Sequence, residues 1–227
     1  MKSLIIIHGA LGSKTQFDDL TKLISSNLDV HNLNMPGHGG EDCLSEFSIC
    51  AFSAFLCSYI IEKELQHPMV FGYSMGGYVA LFAETKKKGL FEKIIALGTK
   101  FDWSQDSATK EIKMLNPLKM AEKIPVFANQ LKELHAPCDW KDVVIKTAEL
   151  MQILVDSDAL TDVDLSRVHC PVVVCRGSLD SMVSKAESTW AVQHMPNSQY
   201  LELESVKHPI DQVNIGILIE LIRQHCL

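Results

Sequence analysis

The sequence predicts an α/β fold, a mostly parallel, doubly wound sheet of about six strands with helices on both faces and a helical lid insertion. Short apolar runs typical of buried strands alternate with longer segments whose apolar residues recur at helical spacing. The alternation stops between Gly98 and Pro171, where helical patterns occur without a convincing strand. We therefore expect a single domain over residues 1–227, with an inserted helical lid at about residues 100–168.

Four strand-like runs precede the insertion and alternate with helical patterns. Ser13 and Gln16 form a capping-box pattern at the start of the first helix, and apolar residues then recur at helical spacing to residue 28. This order is typical of parallel strands joined by crossover helices. The predicted strands cover residues 4–7, 30–35, 70–71 and 93–98, and the next two helical patterns cover residues 49–60 and 77–83.

Two more strand-like runs follow the insertion. Residues 171–175 form a continuous β-branched run typical of a buried parallel strand, and residues 198–204 alternate like a half-buried strand. Ser184 and Glu187 form a second capping box between the two runs. Apolar residues at helical spacing over residues 213–222 predict the last helix.

Residues 72–76 read Gly-Tyr-Ser-Met-Gly and lie between a strand-like and a helix-like run. A serine hydroxyl is a weak nucleophile, so an enzyme that uses one must hold it beside a base and an oxyanion site. The GxSxG pattern supplies a sharp, strained strand-to-helix turn, because its small residues let the turn close without side-chain clashes. Ser74 is therefore the predicted nucleophile.

Asp180 and His208 also follow strand-like runs. Because the ligand crevice of an open α/β sheet lies beyond the carboxyl ends of its strands, we expect both side chains to meet Ser74 at one edge. His208 is the predicted base, and Asp180 is the predicted acid that orients it. Asp102 is the alternative acid, since it follows the strand after the nucleophile helix.

With these motifs the chain resembles the α/β-hydrolase superfamily, and within it the small, serine-dependent, esterase/thioesterase-like members with a helical lid. The order nucleophile, acid, histidine carries the resemblance, together with His-Gly at residues 8–9 and Pro-Gly-His-Gly at residues 36–39. The resemblance implies an oxyanion hole formed by the backbone N–H groups of Ala10 and Met75.

Two residues qualify this resemblance. Asn34 stands where many relatives have aspartate. His38 lies in the Pro-Gly-His-Gly segment, but the proline and the two glycines explain that segment as a turn, so we do not assign His38 a catalytic role.

The insertion carries more apolar bulk than a solvated loop needs. Most of these residues are expected to anchor the insertion to the sheet, and a minority to line a pocket for a small to medium apolar acyl or alkyl group. We place Leu11, Trp103 and Met182 at this pocket. Helices within the insertion are predicted after Asn116-Pro117, at Pro125 and over residues 142–154.

Composition excludes several classes of function. A net charge of −7 and the absence of a Lys/Arg stripe argue against a nucleic-acid partner. No stretch approaches the ~20 apolar residues of a membrane span. The seven cysteines show no CxxC pair and no scaffold spacing, so we expect reduced thiols in a cytoplasmic protein. No metal motif is present among the histidines, and we expect no metal and no cofactor.

The expected activity is that of a serine hydrolase that cleaves a small-molecule carboxylester or thioester through an acyl-enzyme. Two alternatives use the same fold and the same three residues. One is a carbon-carbon bond hydrolase or lyase, and the other is a small-molecule receptor that does not turn its ligand over.

Overall fold

The computed structural model describes all 227 residues of the chain. Six strands form one sheet in the order β2-β1-β3-β4-β5-β6, and every neighbouring pair is parallel. The predicted fold class is thus confirmed. The strands are β1 (Ser3–Ile7), β2 (Asp29–Leu33), β3 (Met69–Tyr73), β4 (Lys93–Leu97), β5 (Val172–Gly177) and β6 (Ser198–Leu203).

Ten α-helices connect and cover the strands. Helices α1 to α3 alternate with the first strands, helices α4 to α8 lie between β4 and β5, and the last two helices follow β5 and β6. They are α1 (Asp18–Ile24), α2 (Ile49–Glu62), α3 (Met75–Lys86), α4 (Gln105–Met114), α5 (Pro117–Lys123), α6 (Pro125–His135), α7 (Trp140–Ile153), α8 (Asp162–Leu165), α9 (Lys185–His194) and α10 (Ile215–Cys226).

The two faces of the sheet bury different halves of each strand, because successive side chains point to opposite sides. Leu4 and Ile6 of β1 belong to the core that α1 and α10 cover. Ile5 and Ile7 of the same strand belong to the larger core that α2 and α3 cover. Helices therefore lie on both faces, which is why β1, β3 and β4 read as continuous apolar runs rather than alternating ones.

The segment between β4 and β5 is helical throughout its regular structure, as predicted. Asn116 caps α5 by accepting a hydrogen bond from the Lys119 N–H, and Pro117 and Pro125 occupy the first turns of α5 and α6. Helix α7 is followed by a π-helical turn over Leu154–Asp158. Val143, Leu150 and Leu154 are buried in the same core as α2 and α3, so the segment packs onto the sheet.

Several predicted boundaries differ from the structure, and three of them bear on local contacts. Strand β2 ends at Leu33 rather than at residue 35, because the Met35 N–H leaves the ladder and donates to Nε2 of His8 at 3.0 Å. Helix α1 ends at Ile24, and Leu28 is buried beyond it. Helix α10 begins at Ile215 rather than at residue 213, because the Asn214 side chain caps it by accepting from the Gly216 N–H.

The expectation that all seven cysteines are reduced thiols is wrong for one pair. Cys43 and Cys138 form a disulfide across 95 positions of sequence, and the other five cysteines are free. Only the fold brings these two residues together, so their spacing along the chain did not indicate the pairing. The cytoplasmic location stays a prediction. None of the helices combines the length and the apolar character that a membrane-spanning segment requires.

Candidate active site

Ser74 lies at a sharp turn between β3 and α3. Its backbone angles are φ 52° and ψ −114°, a region that residues with a side chain rarely occupy. The Ser74 N–H donates to the Leu97 carbonyl of β4 at 2.8 Å, which ties the turn to the neighbouring strand. Backbone strain held by surrounding structure is typical of functional positions. The predicted strand-to-helix elbow is therefore present.

The glycines on either side of Ser74 are required by close backbone approach. A Cβ atom on Gly72 would overlap the backbone of Gly77, and one on Gly76 would overlap the carbonyl oxygens of Ile7 and His8. Because these obstacles are backbone atoms, no change of side-chain rotamer could relieve the overlap. Gly72 therefore lets the elbow close against the first turn of α3, and Gly76 lets it pack directly against the end of β1.

Gly76→Ala is expected to lower the free energy of unfolding by about 1–3 kcal/mol, since the added methyl group forces the elbow away from β1. Urea unfolding followed by circular dichroism measures the change. Gly216→Ala is the matched control, because the added methyl in α10 would approach no backbone atom and only the side-chain oxygen of Asn214, at 3.0 Å. Equal unfolding midpoints for the two variants would contradict the close approach at Gly76.

Asp180 and His208 form a hydrogen-bonded pair at the carboxyl ends of β5 and β6. Nδ1–H of His208 donates to Oδ2 of Asp180 at 2.8 Å. The other carboxylate oxygen, Oδ1, accepts from the N–H groups of Met182 at 2.8 Å and Val183 at 2.9 Å. The carboxylate is thus fixed on both sides, and His208 keeps its Nε2 free of a proton when it is neutral.

Burial alone raises the pKa of Asp180, but other contributions outweigh it. The hydrogen bond and positive charge of His208, followed by the N–H groups of Val183 and Met182, stabilise the carboxylate, and the pKa of Asp180 lies below its ordinary value. Asp180 therefore remains ionised at neutral pH, as a residue that stabilises an imidazolium must.

The backbone of the His208 loop is held by the residue before the nucleophile. The Tyr73 hydroxyl donates to the His208 carbonyl at 2.9 Å. On the other side, a Cβ on Gly98 would lie 3.3 Å from Cε1 and Nδ1 of His208, so the imidazole rests almost directly on the end of β4. The elbow, β4 and the His208 loop together set the position of the ring.

Ala10, Ser74, Met75 and His208 line one cavity of about 170 Å³. Met75 is the first residue of α3, where an N–H has no partner within the helix. The Ala10 N–H likewise donates to no acceptor in the protein. Two backbone donors without a partner thus belong to residues that line the same cavity as Ser74.

The loop that carries Ala10 is fixed by histidines. His8 is fully buried, donates from Nδ1 to the Gly9 carbonyl at 2.7 Å, and accepts the Met35 N–H at Nε2. Burial lowers the pKa of His8 to about 4, so it is neutral and can accept that bond. Nε2–H of His135 in α6 donates to the Leu11 carbonyl at 3.2 Å.

The three residues predicted to line the pocket occupy different places in the structure. Trp103 and Met182 border the cavity. Leu11, whose backbone has φ 57°, packs against the larger core of the sheet and against the apolar cluster of the helical segment. The positive φ at a non-glycine residue is a property of the folded loop that no sequence pattern indicated.

The cavity also contains residues that the sequence interpretation missed. Lys100 follows β4 and could have been found from its place at the carboxyl end of a strand. Glu111 is buried in α4, most of whose residues are polar. Nothing in the sequence indicated that this glutamate would be buried. The apolar wall is formed by Ile49, Leu150, Met151 and Leu154, from α2, α7 and the turn after it.

Asp102, the alternative acid, makes no hydrogen bond to His208. Its exposed carboxylate accepts from the Ser104 N–H at 3.0 Å, and its own N–H donates to Oε2 of Glu187 at 2.7 Å. The geometry therefore pairs His208 with Asp180 alone.

Asn34 uses both ends of its amide, which an aspartate could not do. Its oxygen accepts from the Lys14 N–H at 2.7 Å, and its Nδ2 donates to the Gly39 carbonyl at 2.9 Å. His38 is buried and stacks on Phe47 with ring centroids 4.9 Å apart, outside the cavity that Ser74 lines. Both residues therefore support the turn next to the site.

The fold and this geometry define a class of α/β protein. In this class a serine at a strained strand-to-helix turn lines one cavity together with a histidine that is hydrogen-bonded to an aspartate. Residues 4–210 match the alpha/beta hydrolase family, and the chain belongs to that family.

Individual proteins share 18–28% sequence identity with the chain and differ in how much of it they cover. A pimeloyl-(acyl-carrier protein) methyl ester esterase of Neisseria meningitidis is 23% identical over 229 residues, which cover 92% of this chain and 87% of the esterase. An abhydrolase domain-containing protein of Schizosaccharomyces pombe is 28% identical over 105 residues, 45% of this chain and 38% of that protein. The crystal structure of NosK from Streptomyces actuosus shares the fold, with a TM-score of 0.81, 18% identity and coverage of 98% and 96%.

Proposed function

We propose that this protein is a serine hydrolase that cleaves a small to medium carboxylester or thioester through an acyl-enzyme. The observation that carries the proposal is that Ser74, in its strained elbow, lines one cavity with a His208 ring whose Nδ1–H is held by Asp180 at 2.8 Å. The similarity to a relative named as a methyl ester esterase supports the ester as the bond that is cleaved.

In the proposed reaction, Nε2 of His208 takes the Ser74 proton as Oγ attacks the carbonyl carbon. When the tetrahedral intermediate collapses, the bond from carbon to the leaving oxygen or sulfur breaks, and His208 donates its proton to the departing alcohol or thiol. A water molecule then attacks the acyl-enzyme by the same two steps. The products are a carboxylic acid and free Ser74.

The oxyanion that forms in each step is bound by the N–H groups of Ala10 and Met75. These donors have no partner in the protein, so binding the oxyanion breaks no existing hydrogen bond. Donors of this kind contribute roughly 3 kcal/mol each to stabilisation of the transition state. Asp180, which stays ionised, stabilises the imidazolium that exists at the same moment.

Residues 100–168 form the lid in this proposal. Trp103 and Glu111, from its start, and Leu150, Met151 and Leu154, from α7 and the turn after it, line the cavity beside Ser74. A cavity of about 150 Å³ accommodates benzene, so the 170 Å³ found here suits a group of about six heavy atoms. The substrate class is therefore a small ester with a largely apolar group in the cavity.

Across p-nitrophenyl esters of increasing acyl length, we expect kcat/KM to rise by about threefold to tenfold per methylene and to fall beyond about six to eight carbons. The rise reflects burial of each methylene against the apolar wall, and the fall reflects the cavity volume. Steady-state hydrolysis at fixed ionic strength measures the series. A flat profile, or a preference for anionic esters that salt abolishes, would contradict the apolar wall as the basis of specificity.

The same assay separates the enzyme from the other two alternatives. Steady multiple turnover supports an esterase, whereas a single burst followed by silence supports a receptor that is acylated once. No release of p-nitrophenol from any ester would favour the carbon-carbon hydrolase or lyase instead.

A further inference from the structure

The cavity beside Ser74 is lined by polar as well as apolar residues. Lys100, Trp103 and Glu111, which carry polar side-chain atoms, line it together with the apolar residues of α2 and α7. None of the three takes part in the proposed acyl transfer. We refer to these three residues as the polar subsite.

Lys100 has hydrogen-bond donors to spare. Its side chain is 10% exposed, and Nζ donates to the Met182 carbonyl at 3.2 Å. The nearest carboxylate oxygen, Oε2 of Glu187, is 4.0 Å away and already accepts the N–H groups of Phe101 and Asp102. An ammonium group carries three donors, so at least one remains for a ligand in the cavity.

Glu111 is buried without a hydrogen-bond partner. It is 8% exposed, and its Oε2 contacts neither solvent nor any donor in the protein. Burial raises the pKa of Glu111, and the positive charges of Lys100 and His208 oppose that shift. A carboxylate kept in such a place without a partner costs stability, so a role in binding explains it better than a role in folding.

Trp103 also has a buried polar atom without a hydrogen-bond partner. Its Nε1–H is shielded from solvent and donates to nothing in the protein. The ring itself lies between Tyr78, with centroids 6.4 Å apart, and the Lys100 ammonium, which is 6.0 Å from the centroid. The polar subsite therefore contains an unpartnered donor on Trp103, an unpartnered acceptor on Glu111, and a Lys100 ammonium with donors to spare.

We propose that the polar subsite binds a hydroxyl group of the substrate, so that the preferred ester is a hydroxyacyl ester; this rests on the function proposed above. A hydroxyl oxygen can accept from Lys100 or Trp103 while its proton is donated to Glu111. An alkyl end leaves Trp103 and Glu111 unpaired and the spare donors of Lys100 unused, and a carboxylate end places a second negative charge beside Glu111.

The test compares matched methyl esters with and without a terminal hydroxyl, over acyl chains of about three to eight carbons. Binding is measured by calorimetry with the Ser74→Ala protein, so that no turnover is needed. At the chain length that fits, the hydroxy ester is expected to bind at least about tenfold more tightly than its alkyl counterpart, and the ester with a terminal carboxylate no better than the alkyl one.

Two substitutions in the same background assign the effect. Glu111→Gln is expected to reduce the preference for the hydroxyl and to improve binding of the carboxylate ester, because it removes the repelling charge. Lys100→Met is expected to reduce the preference for the hydroxyl and to weaken binding of the carboxylate ester. Glu122→Gln and Lys110→Met make the same chemical changes at exposed positions and should alter neither preference. Glu111→Gln should unfold at or above the temperature of the parent, which a structural role for Glu111 would not allow.

Equal affinities within every pair, a preference for the carboxylate, or no binding of any ester would overturn the proposal. Failure of the proposed function is recognised separately. In that case the wild-type protein hydrolyses none of the esters, while the preference for the hydroxyl persists in the binding measurement.

Discussion

Ser74→Ala should lower kcat for ester hydrolysis by about 10⁵-fold or more, the largest effect expected of any single substitution. The reason is that the reaction loses its nucleophile. The oxyanion donors and the His208–Asp180 pair can then assist only the slow, direct attack of a bound water molecule on the ester. The elbow itself should survive, because the backbone of Ser74 is held by Leu97 and by the flanking glycines and its hydroxyl caps nothing in α3.

A fluorophosphonate probe gives an independent readout. Intact-mass spectrometry should find one adduct on the wild-type protein and none on Ser74→Ala, because only this serine combines the elbow, a base and two free N–H donors. Ser26→Ala, at an exposed position, should label as the wild type does. A labelled Ser74→Ala protein would remove Ser74 as the nucleophile.

Asp180→Asn should lower kcat by about 10⁴-fold, and the local hydrogen bonds explain why. The N–H groups of Met182 and Val183 both point at Oδ1, so the asparagine oxygen must occupy that position. Its NH₂ group then faces Nδ1 of His208, which has to accept rather than donate. The proton of the neutral ring moves to Nε2, and His208 can no longer take the Ser74 proton.

Asp102→Asn is the matched comparison and should lower kcat by less than about tenfold. The Asp102 carboxylate accepts a hydrogen bond from Ser104 and makes none with His208. Steady-state kinetics on the ester that the wild type hydrolyses fastest measures both variants. Thermal unfolding checks that each is folded. If the two effects came out reversed, Asp102 would have to replace Asp180 as the acid.

The sequence alone determined the order of strands and helices and the part of the site that depends on short-range pattern. The GxSxG segment between two apolar runs is local information, since turn geometry and close packing dictate its glycines. Asp180 and His208 could be predicted because each follows a strand, and parallel strands bring their carboxyl ends to one edge. Capping residues such as Ser184 set helix starts for the same local reason.

Only the tertiary structure decided what surrounds Ser74. Glu111 comes to line the cavity through the packing of α4, whose periodicity does not show which of its polar residues is buried. Leu11 adopts a positive φ in a loop whose carbonyl accepts a hydrogen bond from His135, 124 positions away. Cys43 and Cys138, 95 positions apart in the sequence, form a disulfide. Each of these outcomes depends on contacts between segments that are distant in sequence, and short-range patterns do not predict such contacts.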